Sequence, residues 1–168
     1  MSVNSEFDVL KSVIVHEPDI GIGYITPAVA EQLLYDDIVF LPRMIEEHFV
    51  FTQALRAVMG EQNVYELQDL LSDILEIPAA KKELFQHLKS IDDLSDETID
   101  ILSQINSKDL SETLVSGLDN DFQAHLKPLP NLVFTRDLAC VIHDHILLSK
   151  MNKDARKRES FLFQSILH

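Results

Sequence analysis

Between Gln68 and about Asn120 the sequence changes texture, and that change restricts the fold more than any other feature. "LQDLLSDIL", "PAAKKELFQHLK", "SDETIDILSQI" and "SKDLSETLVSG" are four short amphipathic helical patterns with no strand-like alternation. Pro78, Ser95 and Ser107 are natural starts, and Gly117 is a natural stop. Strand character lies on both sides of this stretch. "LKSVIVH" (Leu10 to His16) and "NVYEL" (Asn63 to Leu67) precede or open it. "NLVFTRD" and then "ACVIHDHILLS" follow it, the latter a hairpin turning at His143-Asp144-His145. The order predicts an α/β fold carrying an inserted small helical bundle.

Within the first part, "ITPAVAEQLLYDDI" predicts a helix with Thr26 as N-cap and Pro27 at the first helical position. A longer helix starts at Pro42 and ends near Gly60, with Met44, Ile45, Phe49, Leu55, Val58 and Met59 forming one stripe expected to be buried. Strand, long helix and strand in succession make a βαβ-type unit, which builds parallel or mixed sheets. The chain therefore divides into residues 1–70, an acidic helical insertion over 71–126, and a second sheet-bearing segment over 127–168. The last helix is expected over Ala155 to Leu167.

The net charge of −14 argues against nucleic acid, whose phosphates demand a basic surface. Residues 61–121 hold 15 carboxylates against four lysines, so most of the excess sits in the helical insertion. Such a region is a solvated face or a docking patch for a basic partner. No apolar run is long enough to span a bilayer, and "MSVNSEFDVLKS" lacks the pattern of a secretory signal, so a cytoplasmic protein without membrane contact is expected. The single Cys140 excludes an internal disulfide.

Several residues carry candidate chemistry. Cys140 is a thiol nucleophile if a partner lowers its pKa, and otherwise a small buried hydrophobe on a strand. "HDH" at 143–145 is a metal pair or a turn, and no third ligand is evident. Asp36 and Asp37 are a paired acid–base or cation site, or they end a helix and pair with Arg43. His16, His48, His87, His125 and His168 form no usable spacing. "ARKRES" puts Arg156, Lys157 and Arg158 in a first helical turn, where the positive end of the helix disfavours cations. That placement calls for a carboxylate or anion partner. Arg136 and Asp137 stand side by side in an apolar strand-like run, a costly arrangement unless the charges are satisfied or used.

In order along the chain, "LLYDDI", "PLPNLVFTRD" and "MNKDARKRES" resemble the N-terminal part of an arginine deiminase, a guanidino-modifying enzyme of the amidinotransferase superfamily. The resemblance covers essentially all 168 residues but well under half of such an enzyme, so the chain reads as a fragment. It implies a partial pentein, the five-bladed α/β propeller of that family. It also implies roles. Asp137 matches the carboxylate that grips the substrate guanidinium, and Arg156 the residue that pairs with the substrate α-carboxylate. Asn131 and Phe134 match pocket-lining residues, and Leu34 matches a loop residue closing over the substrate. Arg136 is then left to a structural pairing.

The implied reaction is hydrolysis of L-arginine to L-citrulline and ammonia by a cysteine thiolate that Cys140 does not match. The nucleophile is thus expected outside these residues and the isolated chain is expected to be inactive. No metal or cofactor is expected. A relative acting on another guanidino compound, or a non-catalytic arginine-binding or assembly module, are the rival readings. An incomplete propeller exposes apolar sheet edges, so self-association is expected.

Overall fold

The computed structural model describes residues 3–5, 7–36 and 38–167, and the element order alternates short strands with helices. β1 (Val13–Val15) leads through a short helix α1 (Ile20–Gly23) to the long α2 (Leu41–Met59) and then β2 (Val64–Glu66). β1 and β2 pair in parallel, Val13 opposite Val64 and Val15 opposite Glu66, as a βαβ crossover requires. Gly60 ends α2 at φ 87°, a conformation that glycine adopts without a steric penalty.

Four helices follow: α3 (Leu67–Leu75), α4 (Pro78–Ile91), α5 (Asp96–Gln104) and α6 (Ser107–Ser116). Their starts are local chemistry. Ser95 accepts a hydrogen bond from the Thr98 amide, and Pro78 sits in the first turn of α4. The cap of α6 is Asn106, whose Oδ1 accepts from the Asp109 amide, one residue before the expected Ser107. Gly117 closes α6 at φ 82°, and a Cβ there would run into the Leu126 carbonyl oxygen. That close approach comes from the returning chain, whose His125 and Leu126 amides both bond the Gly117 carbonyl.

The hairpin β3 (Ala139–Ile142) and β4 (His145–Leu148) turns at His143-Asp144 and is antiparallel, Ala139 opposite Leu148. α7 (Asp154–Ile166) completes the described chain. Leucines at helical spacing build the main core: Leu67, Leu71, Leu75, Leu84, Leu88, Leu102, Leu110 and Leu114. Leu129, Leu132, Leu138 and, from α7, Leu162 and Phe163 join the same cluster. A smaller cluster of Ile22, Ile25 and Leu33 gathers the loop after α1. Among the described residues, no helix is long and apolar enough to cross a membrane.

Three expectations need correction. Residues 27–30 form turns and Glu31–Leu33 a 3₁₀ turn, where a helix capped by Thr26 was expected. The Thr26 carbonyl accepts from Val29 and Ala30, and Leu34 at φ 59° then reverses the chain so that Leu33 can pack on Ile22 and Ile25. Second, "NLVFTRD" is two 3₁₀ turns, Pro130–Val133 and Thr135–Asp137, with no strand. Side chains, not a ladder, pin it: Asn131 Nδ2 donates to the Leu33 carbonyl at 2.7 Å, and Thr135 Oγ1 to the Ile14 carbonyl at 3.0 Å. Third, the apolar stripe of α2 is largely unburied, with Ile45, Phe49 and Val58 exposed and Thr52 the buried position of the helix.

Candidate functional site

Arg156 lies in the first turn of α7, and Asp137 ends the second 3₁₀ turn just before β3. The two meet: Arg156 Nη1 donates to Asp137 Oδ2 at 2.9 Å. On its other side Arg156 Nε donates to Glu159 Oε2 at 2.7 Å, one helical turn along. Glu159 is fully buried, while the Asp137 side chain is 49% exposed. Burial pushes the Glu159 carboxyl up to about 7, against the lowering effect of Arg156. Burial alone would lower the Arg156 pKa, but its bonds to Glu159 and Asp137 raise it above the ordinary arginine range.

The basic first turn of α7 thus finds its carboxylates inside the chain. Lys157 pairs with Asp154 at 2.7 Å, and the buried Arg158 pairs with Asp92 from the end of α4 at 2.9 Å. Arg158 also donates to the Lys127 carbonyl. Three cations in a turn that disfavours them are held by four acidic groups, and two of these, Asp92 and Asp137, come from outside the helix.

The remaining expected residues lie along the same stretch. Asn131 is buried and bonds the carbonyl of Leu33, which places it against the turn that presents the exposed Leu34. Phe134 is exposed, and its carbonyl accepts from the Asp137 amide at 2.9 Å. Asn131, Phe134 and Asp137 are therefore set by one pair of consecutive turns, which Arg156 meets through Asp137 and the Leu33 carbonyl through Asn131. Arg136 and Asp137 are both exposed in a 3₁₀ turn, so the apolar run does not bury these charges in a strand. Two clefts lie elsewhere. One of about 480 Å³ is lined by Asp19, Glu112, Asp119 and Phe122, and one of about 500 Å³ by Lys81, Lys82, Phe85 and Lys89.

Other candidates resolve differently. Cys140 is exposed on β3 opposite Leu147, not a buried hydrophobe. His143 Nδ1 bonds Asn4 Oδ1 at 2.9 Å, and His145 pairs with Asp144 at 2.7 Å. No group of three or more His, Cys, Asp or Glu residues could hold a metal ion among the described residues. Arg43 pairs with Glu46 and Glu47 along α2. Asp36 is exposed, whereas Asp37 and His168 lie outside the described residues.

One polar centre escaped the sequence reading. His16, buried at the end of β1, bonds Glu66 Oε1 at 2.8 Å through Nδ1 and faces Asp19 Oδ2 at 3.5 Å through Nε2. Burial lowers the His16 pKa, but Asp19 and Glu66 together carry it up to about 9. Glu66 also accepts from the Glu17 and Gln68 amides, so it caps α3 as well. The available signal was polar residues at the C-terminal ends of two short apolar strands, which parallel pairing brings together.

Comparison with known proteins adds the lineage. The profile of the family described as arginine deiminase matches residues 31–115 and 84–168. The chain is 33% identical over 187 residues to an arginine deiminase of Latilactobacillus sakei, covering 98% of this chain and 45% of that protein. It is 30% identical to an arginine deiminase of Limosilactobacillus reuteri with the same coverage. It is 32% identical over 191 residues to an arginine deiminase of Lactococcus lactis, covering 99% of this chain and 46% of that protein. The chain spans less than half the length of these relatives.

Proposed function

Since the chain belongs to the arginine deiminase family, we propose that it supplies part of a guanidino-substrate pocket for hydrolysis of L-arginine to L-citrulline and ammonia. Asp137 grips the substrate guanidinium through paired N–H groups, a strong and directional charge-assisted contact. Arg156 pairs with the substrate α-carboxylate. Asn131 and Phe134 line the amino-acid end and the aliphatic stem, and Leu34 closes over them. The thiolate that attacks the guanidinium carbon is expected outside these residues, since Cys140 does not match its place in the family. In this reading β1–α2–β2 and the β3–β4 hairpin with α7 belong to a partial pentein, and α3–α6 are its helical insertion.

The observation that carries the reading is the Asp137–Arg156 bond. A half-exposed carboxylate, at the position the family assigns to guanidinium recognition, already holds a guanidinium at 2.9 Å. The test is binding of L-arginine to the 168-residue chain, followed by the Asp137 carboxyl resonance. Asp137→Asn is expected to abolish that binding, and retained binding would overturn the assignment. A citrulline assay on the same chain is expected to show no turnover, and citrulline release would refute the placement of the nucleophile elsewhere. The exposed Ile45, Phe49 and Val58 of α2 and Ile146, Leu147 and Leu148 of β4 support self-association. A monomer by light scattering at micromolar concentration would contradict it.

A further inference from the structure

Arginine 156 spends its donors unevenly. Nε goes to Glu159 and Nη1 to Asp137, while Nη2 is buried without a partner, as is Glu159 Oε1. If Asp137 takes the guanidinium of a ligand and Arg156 its carboxylate, the two groups must stand apart by the length of the ligand's aliphatic stem. Their direct 2.9 Å bond is incompatible with that separation, so Arg156 has to leave Asp137 before an arginine-like ligand can bridge them. Glu159 stands where such a movement needs a pivot. It is wholly buried, fixed on the same helix, and bonded to Nε, so it can hold one edge of the planar guanidinium while Nη1 exchanges Asp137 for another acceptor.

We infer that Arg156 is an internal competitor for Asp137, and that Glu159 is the positioning residue that keeps Arg156 at the site as it swings from Asp137 to the ligand carboxylate. This rests on the reading of Asp137 as the guanidinium-gripping carboxylate. The consequence is selectivity. A bare guanidinium cation must displace Arg156 and receives nothing in return, whereas L-arginine offers Arg156 a new carboxylate. The site therefore discriminates against guanidinium compounds that lack an acidic group, without any steric barrier.

The experiment titrates the labelled 168-residue chain with methylguanidinium and, separately, with L-arginine, following the Asp137 carboxyl and Arg156 guanidinium resonances by NMR. In the unmodified chain methylguanidinium is expected to move both sets of signals together. Movement of Asp137 with Arg156 unchanged would overturn the competition. Arg156→Met is expected to bind methylguanidinium roughly fivefold more tightly, the scale of a partly exposed ion pair. Equal or weaker binding overturns the inference, and the measurement on the unmodified chain stands if this variant does not fold. Glu159→Gln is expected to lower the ratio of L-arginine to methylguanidinium affinity severalfold, whereas a merely structural role would weaken both alike and sink the pivot. Asp137→Asn separates the two levels. If it leaves methylguanidinium binding unchanged, or if neither probe binds, the guanidino reading falls and this inference with it. If it abolishes binding while Arg156→Met gains nothing, the competitor inference alone falls.

Discussion

Helix α2 and the helices α3 to α6 are written in the same amphipathic code, yet they end in opposite environments. In α3 to α6 the periodic leucines are sealed: Leu67, Leu71, Leu88, Leu102, Leu110 and Leu114 are all fully buried. In α2 half of the periodic positions are exposed, with Phe49 at 55% and Val58 at 86%, while Met44, Leu55 and Met59 are only half-buried. Periodicity reports that a helix has an apolar face, and it does not report whether the covering surface belongs to the same chain. The helical region is self-sufficient because α7 and the leucines at 129, 132 and 138 close over it. The long helix of the βαβ unit is covered in part: Leu41 and Met44 pack on the Ile22, Ile25 and Leu33 cluster, while Phe49 and Val58 stay exposed.

That contrast can be broken by mutation. Leu114→Ala, in the sealed region, is expected to lower stability by about 3 kcal/mol through lost burial and a residual cavity. Urea denaturation measures it, and a loss below about 1 kcal/mol would mean that the region is not a packed core. Gly117→Ala comes next at about 2 kcal/mol, since a side chain there combines a positive φ with a collision against the Leu126 carbonyl. A neutral outcome would show that the end of α6 can relax.

Acidity separates the two regions without mutation. His16 belongs to the βαβ unit, and its pKa rises from 6.5 to about 9 on folding. Its contribution is therefore full below about pH 6.5 and is lost as pH climbs through 9. Glu159 belongs to α7, and its pKa rises from 4.5 to about 7, so its contribution is full below 4.5 and fades as pH passes 7. The urea midpoint is expected to fall in two stages from pH 5 to 9. Glu159→Gln should erase the lower stage and His16→Gln the upper one, and a profile unaltered by either change would discredit both assignments. The smallest effect is expected on α2, where Val58→Ser should shift stability by no more than about 0.5 kcal/mol. A loss comparable to that of Leu114→Ala would erase the contrast between the two regions.

What the sequence disclosed follows from how far each determinant reaches. The helices from α2 to α7 were legible because their signals are local: Pro78, Ser95, Gly60 and Gly117 act within a turn of themselves. The error at Asn106 was a single residue, within the ambiguity of adjacent polar caps. The stretch from Asn131 to Asp137 was misread as a strand because its conformation is decided by bonds to Leu33 and Ile14, about a hundred residues earlier. His16 was passed over for the same reason, since its partner Glu66 becomes a neighbour only once β1 and β2 are in register. At the candidate site, Asp137 and Arg156 were both legible as charges seeking partners. That each is the other's partner was not, because 19 residues and a hairpin separate them.

The basic first turn of α7 bears on the order of assembly. A helix that opens on Asp154 but carries three cations just behind it, against its own dipole, gains little from nucleating alone. Its offsetting carboxylates include Asp92, delivered by α4, and Asp137, delivered by the turn before β3. Helix α7 is thus a conditional element, poorly formed as an isolated peptide and stable only after distant segments have docked. It should condense late in folding, as the latch on a helical region that is already in place.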